Sequence, residues 1–230
     1  KMSVKYAYDS LKIIGSLFIR SCLNKKQFQY LRLNLPESVS SRNMEEDEHE
    51  WDYYWEIKKK KSNALYDNIA VFYRKCIIKR ALNCFIKKTF KSGAALLHAG
   101  CGGGQVDTDA VRYAKVTALD ISQLAIDRYQ ELNGSFAQTI HGSIFEIPLT
   151  DNSMDGVYNL GVMEHFSEED ISRILKEFHR ILKPQGKVLL FWPPEFGLSV
   201  IFLKGVLFIL NGVLKKNIKL HPDEITRILS

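Results

Sequence analysis

Four glycines, at positions 100, 102, 103 and 104, directly follow the apolar run Leu96-Leu97-His98-Ala99, and an acid, Asp120, closes the next apolar run, Val116-Thr117-Ala118-Leu119. Glycine is favoured where φ must be positive or where the backbone must come close to a ligand. A glycine loop between a strand and a helix offers free amides and the positive end of the helix to whatever lies beyond the strand. A carboxylate ending the second strand of such a unit can accept hydrogen bonds from both hydroxyls of a ribose. The spacing narrows the ligand further. The dinucleotide fingerprint G-x-G-x-x-G would need glycine at 105, where Gln105 stands, so the pattern is G-x-G-x-G. No Lys-Ser or Lys-Thr follows, which excludes a P-loop. A glycine loop alone is a common pattern; the loop together with an acid at a βαβ distance is more specific. Further along, Glu164-His165 pairs a carboxylate with an imidazole whose ordinary pKa suits proton transfer near neutrality. The same pair could equally cap or pack a helix.

These residues must be positioned by alternating strands and helices. The sequence predicts strands at Leu96–Ala99, Val116–Asp120, Phe136–His141, Asp155–Leu160 and Lys187–Trp192, the last stopped by Pro193-Pro194. Helices are expected from Gln105 to Tyr113, from an N-cap at Ser122 to about Leu132 with Asn133-Gly134 as its stop, and from Ser167-Glu168-Glu169-Asp170 to Leu182. The repeated alternation implies a doubly wound, mostly parallel α/β sheet.

From about Leu96 to Pro194, these motifs in this order resemble the class I S-adenosylmethionine-dependent methyltransferases, in particular the small-molecule, methyltransferase type 11-like branch. The resemblance implies a Rossmann-like methyltransferase fold, S-adenosylmethionine as cofactor with S-adenosylhomocysteine as product, a small-molecule acceptor and no metal. It implies cofactor contacts at His98, Gly100, Cys101, Gly102 and Gly104 in the loop, at Asp120 and Ile121, at Ser143 and Ile144 in the adenine loop, and at Asn159 and Leu160. Lys183-Pro184-Gln185-Gly186 matches the turn before the fifth strand. Two positions depart from the pattern: His98 stands where an acid is usual, and Ser143 stands where an Asp often bonds the adenine amino group. Glu164 and His165 fall beside the expected methyl position and are the candidate catalytic residues, His165 as general base. The competing reading from another class is a non-catalytic adenosine- or partner-binding module on the same fold.

With 230 residues, 46% hydrophobic and 25% charged, the chain can bury a full core as a globular protein. Its four cysteines include no C-x-x-C pair, which suits a reducing, cytoplasmic setting, and its six histidines lack metal-site spacing. The net charge of +6 is uneven: 19 of the Lys and Arg but only 10 of the Asp and Glu fall in residues 1–92. That basicity is read as the solvated face of helices, since no nucleic-acid module accompanies it. Methylation of nucleic acid would also call for an Asn-Pro-Pro-aromatic motif, which Asn159-Leu160-Gly161-Val162 is not.

Residues 1–92 read as an N-terminal helical extension or lid, and 93–230 as the cofactor-binding core. Within the first, Leu11 to Ile19 has helical periodicity but is too short to span a membrane, and Asn34 to Asn43 reads as a linker. Trp51-Asp52-Tyr53-Tyr54-Trp55 is either the inner side of a lid or plain core packing, and Leu65 to Phe90 is a helix leading into the sheet. Within the second, the apolar segment 196–214 carries Lys204 near its middle, which argues against a membrane span. It is compatible with a cap over an apolar acceptor, with peripheral membrane contact, or with ordinary core packing. His221-Pro222-Asp223-Glu224 opens a final helix. The resemblance implies two more strands after it, one antiparallel; no later segment supplies them, so either the natural protein continues past Ser230, which is the favoured expectation, or this branch has lost them.

Overall fold

A computed structural model of the chain describes residues 21–24, 48–49, 51–56 and 74–191, with Gly205, Phe208 and Gly212 as isolated helical positions. The expectations for 11–19, 34–43, 65–73, most of 196–214, and the helix after His221 lie outside the described residues.

The near-continuous apolar runs form strands buried on both faces, as parallel sheets require. In chain order the elements are β1 (Ser21–Asn24), α1 (Lys79–Thr89), β2 (Ala95–Ala99), α2 (Ala110–Tyr113), β3 (Lys115–Asp120), α3 (Gln123–Asn133), β4 (Ala137–His141), β5 (Met154–Leu160), α4 (Glu168–Ile181) and β6 (Leu182–Phe191). A π-helical turn, Arg74–Ile78, leads into α1, and residues 51–56 are helical. The sheet order is β1-β6-β5-β2-β3-β4. Neighbours from β4 through β6 run parallel, and β1 pairs antiparallel with β6, Ser21 opposite Leu190 and Asn24 opposite Lys187. This is the expected doubly wound, mostly parallel sheet. It also has an antiparallel edge strand from residues 21–24, where only helix and linker were expected.

Side chains alternate across the sheet. On one face Leu97, Leu119, Val157 and Val188 meet Ile174, Phe178 and Ile181 of α4. On the other, Leu96, Val116, Tyr158 and Leu189 meet Leu82 and Ile86 of α1 and Ala110 and Val111 of α2. Tyr129 and Ile126 of α3 pack with Ala118 and Cys101. The two predicted N-caps form: Ser122 Oγ accepts from the Ala125 amide at 3.2 Å, and Ser167 Oγ accepts from the Asp170 amide at 3.2 Å.

Two boundaries differ from the sequence reading. Residues 105–109 are turns, and helix begins only at Ala110, because Asp107 is drawn into the interior instead of lying on a helix surface. Lys183 to Gly186 fall inside β6 but bulge from it. Met154 pairs with Leu182 and Gly156 with Lys187, so two steps along β5 correspond to five along β6.

Because β2 has β3 on one side and β5 on the other, the order in which strands are added reverses there, although their direction does not. The crevice beyond the carboxyl ends of these strands is where open α/β sheets bind ligands.

Candidate functional site

The glycine loop opens the site. Beyond β2, the amides of Gly100 and Cys101 both donate to the Leu119 carbonyl, at 2.8 and 3.0 Å, which turns the loop across the end of β3. Gly100 and Gly104 have φ of 74° and 70°, conformations L side chains rarely adopt. Neither position has room for a Cβ. At Gly100 it would lie 2.5 Å from Val162 Cγ2, and at Gly104 2.5 Å from both Tyr129 Cδ2 and Asn133 Nδ2.

Asp120 is tied to that loop. Its Oδ2 accepts from the Gly102 amide at 2.8 Å and its Oδ1 from the Ser122 amide at 3.1 Å. A carboxylate has about four acceptor sites, so both oxygens retain capacity for two further donors such as vicinal hydroxyls. Burial pushes the Asp120 carboxyl above its ordinary range, against the opposing pull of the Ser122 and Gly102 amides and His98. Cys101 is buried in the loop, and burial together with the Asp120 and Asp107 charges holds its thiol well above the usual range. It is therefore a packing residue rather than a nucleophile.

The other predicted residues gather around the same crevice. Asn159 is buried and donates from Nδ2 to the Ala99 carbonyl at 2.7 Å, locking the ends of β5 and β2 together. Its Oδ1 is buried without a partner among the described residues. Ile121 offers its carbonyl to His141 Nε2 at 2.8 Å. Ser143, also buried, accepts from the Phe145 amide at 3.2 Å and keeps its hydroxyl hydrogen to donate. Ile144 is buried beside it, and Leu160 is half-buried at the end of β5. Gly161, with φ 66°, turns the chain into a short 3₁₀ turn, Met163–His165. That turn carries Glu164, which is buried, and His165, which is half-buried.

The aromatic stretch 51–55 that the sequence singled out, together with Glu48, which it did not, completes the picture. Trp51 stands edge-on to His165, ring centres 5.3 Å apart. Asp52 accepts a short hydrogen bond from Ser122 Oγ. Trp55 lies against Gly102 and Gly103, with the Arg128 guanidinium 5.0 Å from its ring centre, and Glu48 Oε1 is 3.2 Å from His141 Nε2. The aromatic density of 51–55 signalled an inward face; nothing local identified Asp52 or Glu48.

His98 does not stand free at the strand end. It is 1% exposed, and its Nδ1 lies 2.6 Å from Asp107 Oδ2. Among the described residues no group of His, Cys, Asp and Glu could hold a metal ion. The residues do fit an adenosine-bearing cofactor. A carboxylate with spare acceptor sites closes β3 beside the glycine loop, and Asn159 contributes a buried amide oxygen without a partner among the described residues.

Comparison with known proteins accords with this geometry. Residues 97–190 match the family model described as a methyltransferase domain. Among curated relatives, a protein of Mycolicibacterium smegmatis named a probable S-adenosylmethionine-dependent methyltransferase is 31% identical over 115 residues, covering 47% of this chain and 41% of that one. A demethylmenaquinone methyltransferase of Symbiobacterium thermophilum is also 31% identical over 115 residues, covering 46% and 45%. The chain thus spans less than half the length of either relative. Among solved structures, a protein of Methanococcus maripaludis named a putative S-adenosyl-L-methionine-dependent methyltransferase is 18% identical with a TM-score of 0.48 over 78% of each chain. Geranyl diphosphate C-methyltransferase from Streptomyces coelicolor is 20% identical, with a TM-score of 0.42 over 48% of this chain and 42% of that one.

Proposed function

We propose that this chain, whose residues 97–190 match the family model described as a methyltransferase domain, is a class I S-adenosylmethionine-dependent methyltransferase that transfers the methyl group to a small-molecule acceptor. One observation carries the reading. The loop amide at Gly102 and the carboxylate of Asp120 are joined at 2.8 Å at the switch point of the sheet, so the two groups that recognise the cofactor are assembled as a unit. When bound, the cofactor supplies an electrophilic methyl on a sulfonium, which needs an in-line nucleophile and little else.

The chain's residues then have distinct tasks. Asp120 accepts the ribose hydroxyls. Ser143 and Ile144 hold the adenine through the hydroxyl and an apolar edge, and Gly100 and Gly102 allow the backbone to approach. Asn159 fixes the ends of β2 and β5 relative to one another. His165, whose ring is set by the Trp51 edge, takes the proton from the acceptor as its nucleophile attacks. Glu164, buried on the same turn, is the second candidate catalytic residue. Residues 48–49 and 51–56 act as the inner part of an N-terminal lid, since Glu48, Trp51, Asp52 and Trp55 each rest on a different part of the crevice rim. The aromatic face that Trp51 and Tyr54 bring beside His165 favours an apolar acceptor, as does the name of the demethylmenaquinone relative.

Calorimetric titration with S-adenosylmethionine and S-adenosylhomocysteine tests the reading. Micromolar binding by the wild type is expected, weakened about tenfold or more in Asp120→Ala as two charge-assisted hydrogen bonds are lost. A folded wild type that binds neither compound would sink the proposal and leave a partner-binding module on the same fold.

A further inference from the structure

His98 and Asp107 flank the glycine loop, one two residues before Gly100 and the other three after Gly104, and the bond of 2.6 Å between them closes the loop at its neck. Both side chains are buried, at 1% and 0% exposure. Asp107 Oδ2 also accepts from Tyr129 Oη at 2.8 Å and Tyr158 Oη at 3.0 Å. Three donors from β2, α3 and β5 therefore converge on Oδ2, compensating the burial of its charge, while Oδ1 is buried without a partner among the described residues. The backbone joins in. The Asp107 amide donates to the Gly104 carbonyl at 3.1 Å, which also accepts from Asn133 Nδ2 at 2.9 Å. Gly104 in turn presses on the ring of Tyr129, so the exit of the loop and the carboxylate are anchored to the same tyrosine. The His98 ring is stacked on Tyr158 with centres 4.4 Å apart, which fixes the direction of its Nδ1.

We infer that His98 acts through Nδ1 on Asp107, and that the pair positions the glycine loop for the cofactor without either residue touching it. A carboxylate only accepts, so His98 Nδ1 carries the hydrogen. The inference rests on the methyl-transfer reading for the identity of the ligand, but not for the behaviour of the loop. The rival role for His98 is direct contact through Nε2, which is buried without a partner among the described residues.

The two roles separate cleanly by substitution. In His98→Asn the side-chain amide nitrogen can stand where Nδ1 stands, whereas in His98→Gln it reaches the position of Nε2 and the side chain is closer to histidine in size. Two readouts are taken: the affinity for S-adenosylhomocysteine by calorimetry, and amide hydrogen exchange of residues 100–107 in the ligand-free protein. Circular dichroism checks that each variant is folded. The expected result is that H98N stays within about threefold of wild-type affinity and keeps its loop protection. H98Q and Asp107→Ala should lose about tenfold or more and exchange faster over 100–107, as charge-assisted hydrogen bonds of this kind are worth that much. If D107A does not fold, D107N takes its place, since it keeps the shape and one acceptor but not the charge.

Retention of affinity in H98Q with loss in H98N would overturn the inference in favour of a direct Nε2 contact. Unchanged exchange across 100–107 in both H98Q and the Asp107 variant would overturn it too, by showing that the pair does not hold the loop. If the wild type fails to bind S-adenosylhomocysteine, the methyl-transfer reading falls, and the exchange data alone decide whether the neck bond positions the loop.

Discussion

Each polar side chain at the crevice rim meets partners contributed by separate elements, and that governs what a single substitution does. Cys101 illustrates this. It sits inside the loop, yet burial and two nearby carboxylates hold its thiol protonated, while Cys84 on α1 is exposed. In native protein treated with a disulfide reagent, Cys84 should react promptly and Cys101 only after denaturant is added, as mass spectrometry of the labelled peptides will report. His165, proposed as the general base, makes the opposite case. His165→Gln should leave S-adenosylhomocysteine affinity unchanged and reduce turnover about a hundredfold or more with the acceptor that a labelled-methyl screen identifies. Equal turnover in the variant would mean that the acceptor arrives already deprotonated. At this scale the sequence disclosed residue type and neighbourhood but not partnership. Asp120 was legible because its task depends on a strand end, which periodicity locates. Asp107 was not, because its partners His98, Tyr129 and Tyr158 come together only when three elements pack.

The helices were most legible where they begin. Ser122 and Ser167 were readable as caps, since the cap bond is made to an amide three residues on and needs no tertiary partner. The expected helix from 105 failed at its first turn because a buried carboxylate outcompeted the local preference. The carboxyl end of α4 is held by a clasp no spacing announced. Arg180 donates to the carbonyls of Ile147 and Leu149, both at 2.7 Å, and to Glu177 and Asp151, fixing the loop that leads from β4 back to β5. Burial alone would raise the Glu177 carboxyl, but hydrogen bonds from Arg180 and from the Ile147 amide outweigh it and hold the group below its ordinary 4.5. A carboxyl depressed by folding stabilises the protein above its unfolded pKa, and that contribution disappears as the pH falls through the folded value. In urea denaturation, Glu177→Gln should therefore be less stable than wild type by about 1–2 kcal/mol at pH 7. The gap should close below pH 4.5, as Glu177 takes up its proton.

Across the whole molecule, alternation of apolar runs with capped helices was enough to predict a doubly wound sheet, since each strand between β2 and β6 carries its own signal. The pairing order of those strands carries no local signature, but the right-handed crossover rule leaves few alternatives. What periodicity could not supply was the edge beside β6. Ser21–Asn24 is a stretch of four residues with one lysine pair after it, and it is strand only because β6 offers unpaired backbone groups along its outer side. Its partners, Lys187 to Leu190, lie at the opposite end of the described chain. Synthesis on the ribosome proceeds from the amino end, so residues 21–24 leave the exit tunnel long before any partner exists. They must wait, unpaired and exposed to chaperones, until β6 has emerged and docked beside β5. Of the described strands the first made is thus the last to be sheltered, and the time taken to synthesise the stretch from residue 25 through β6 sets how long it waits.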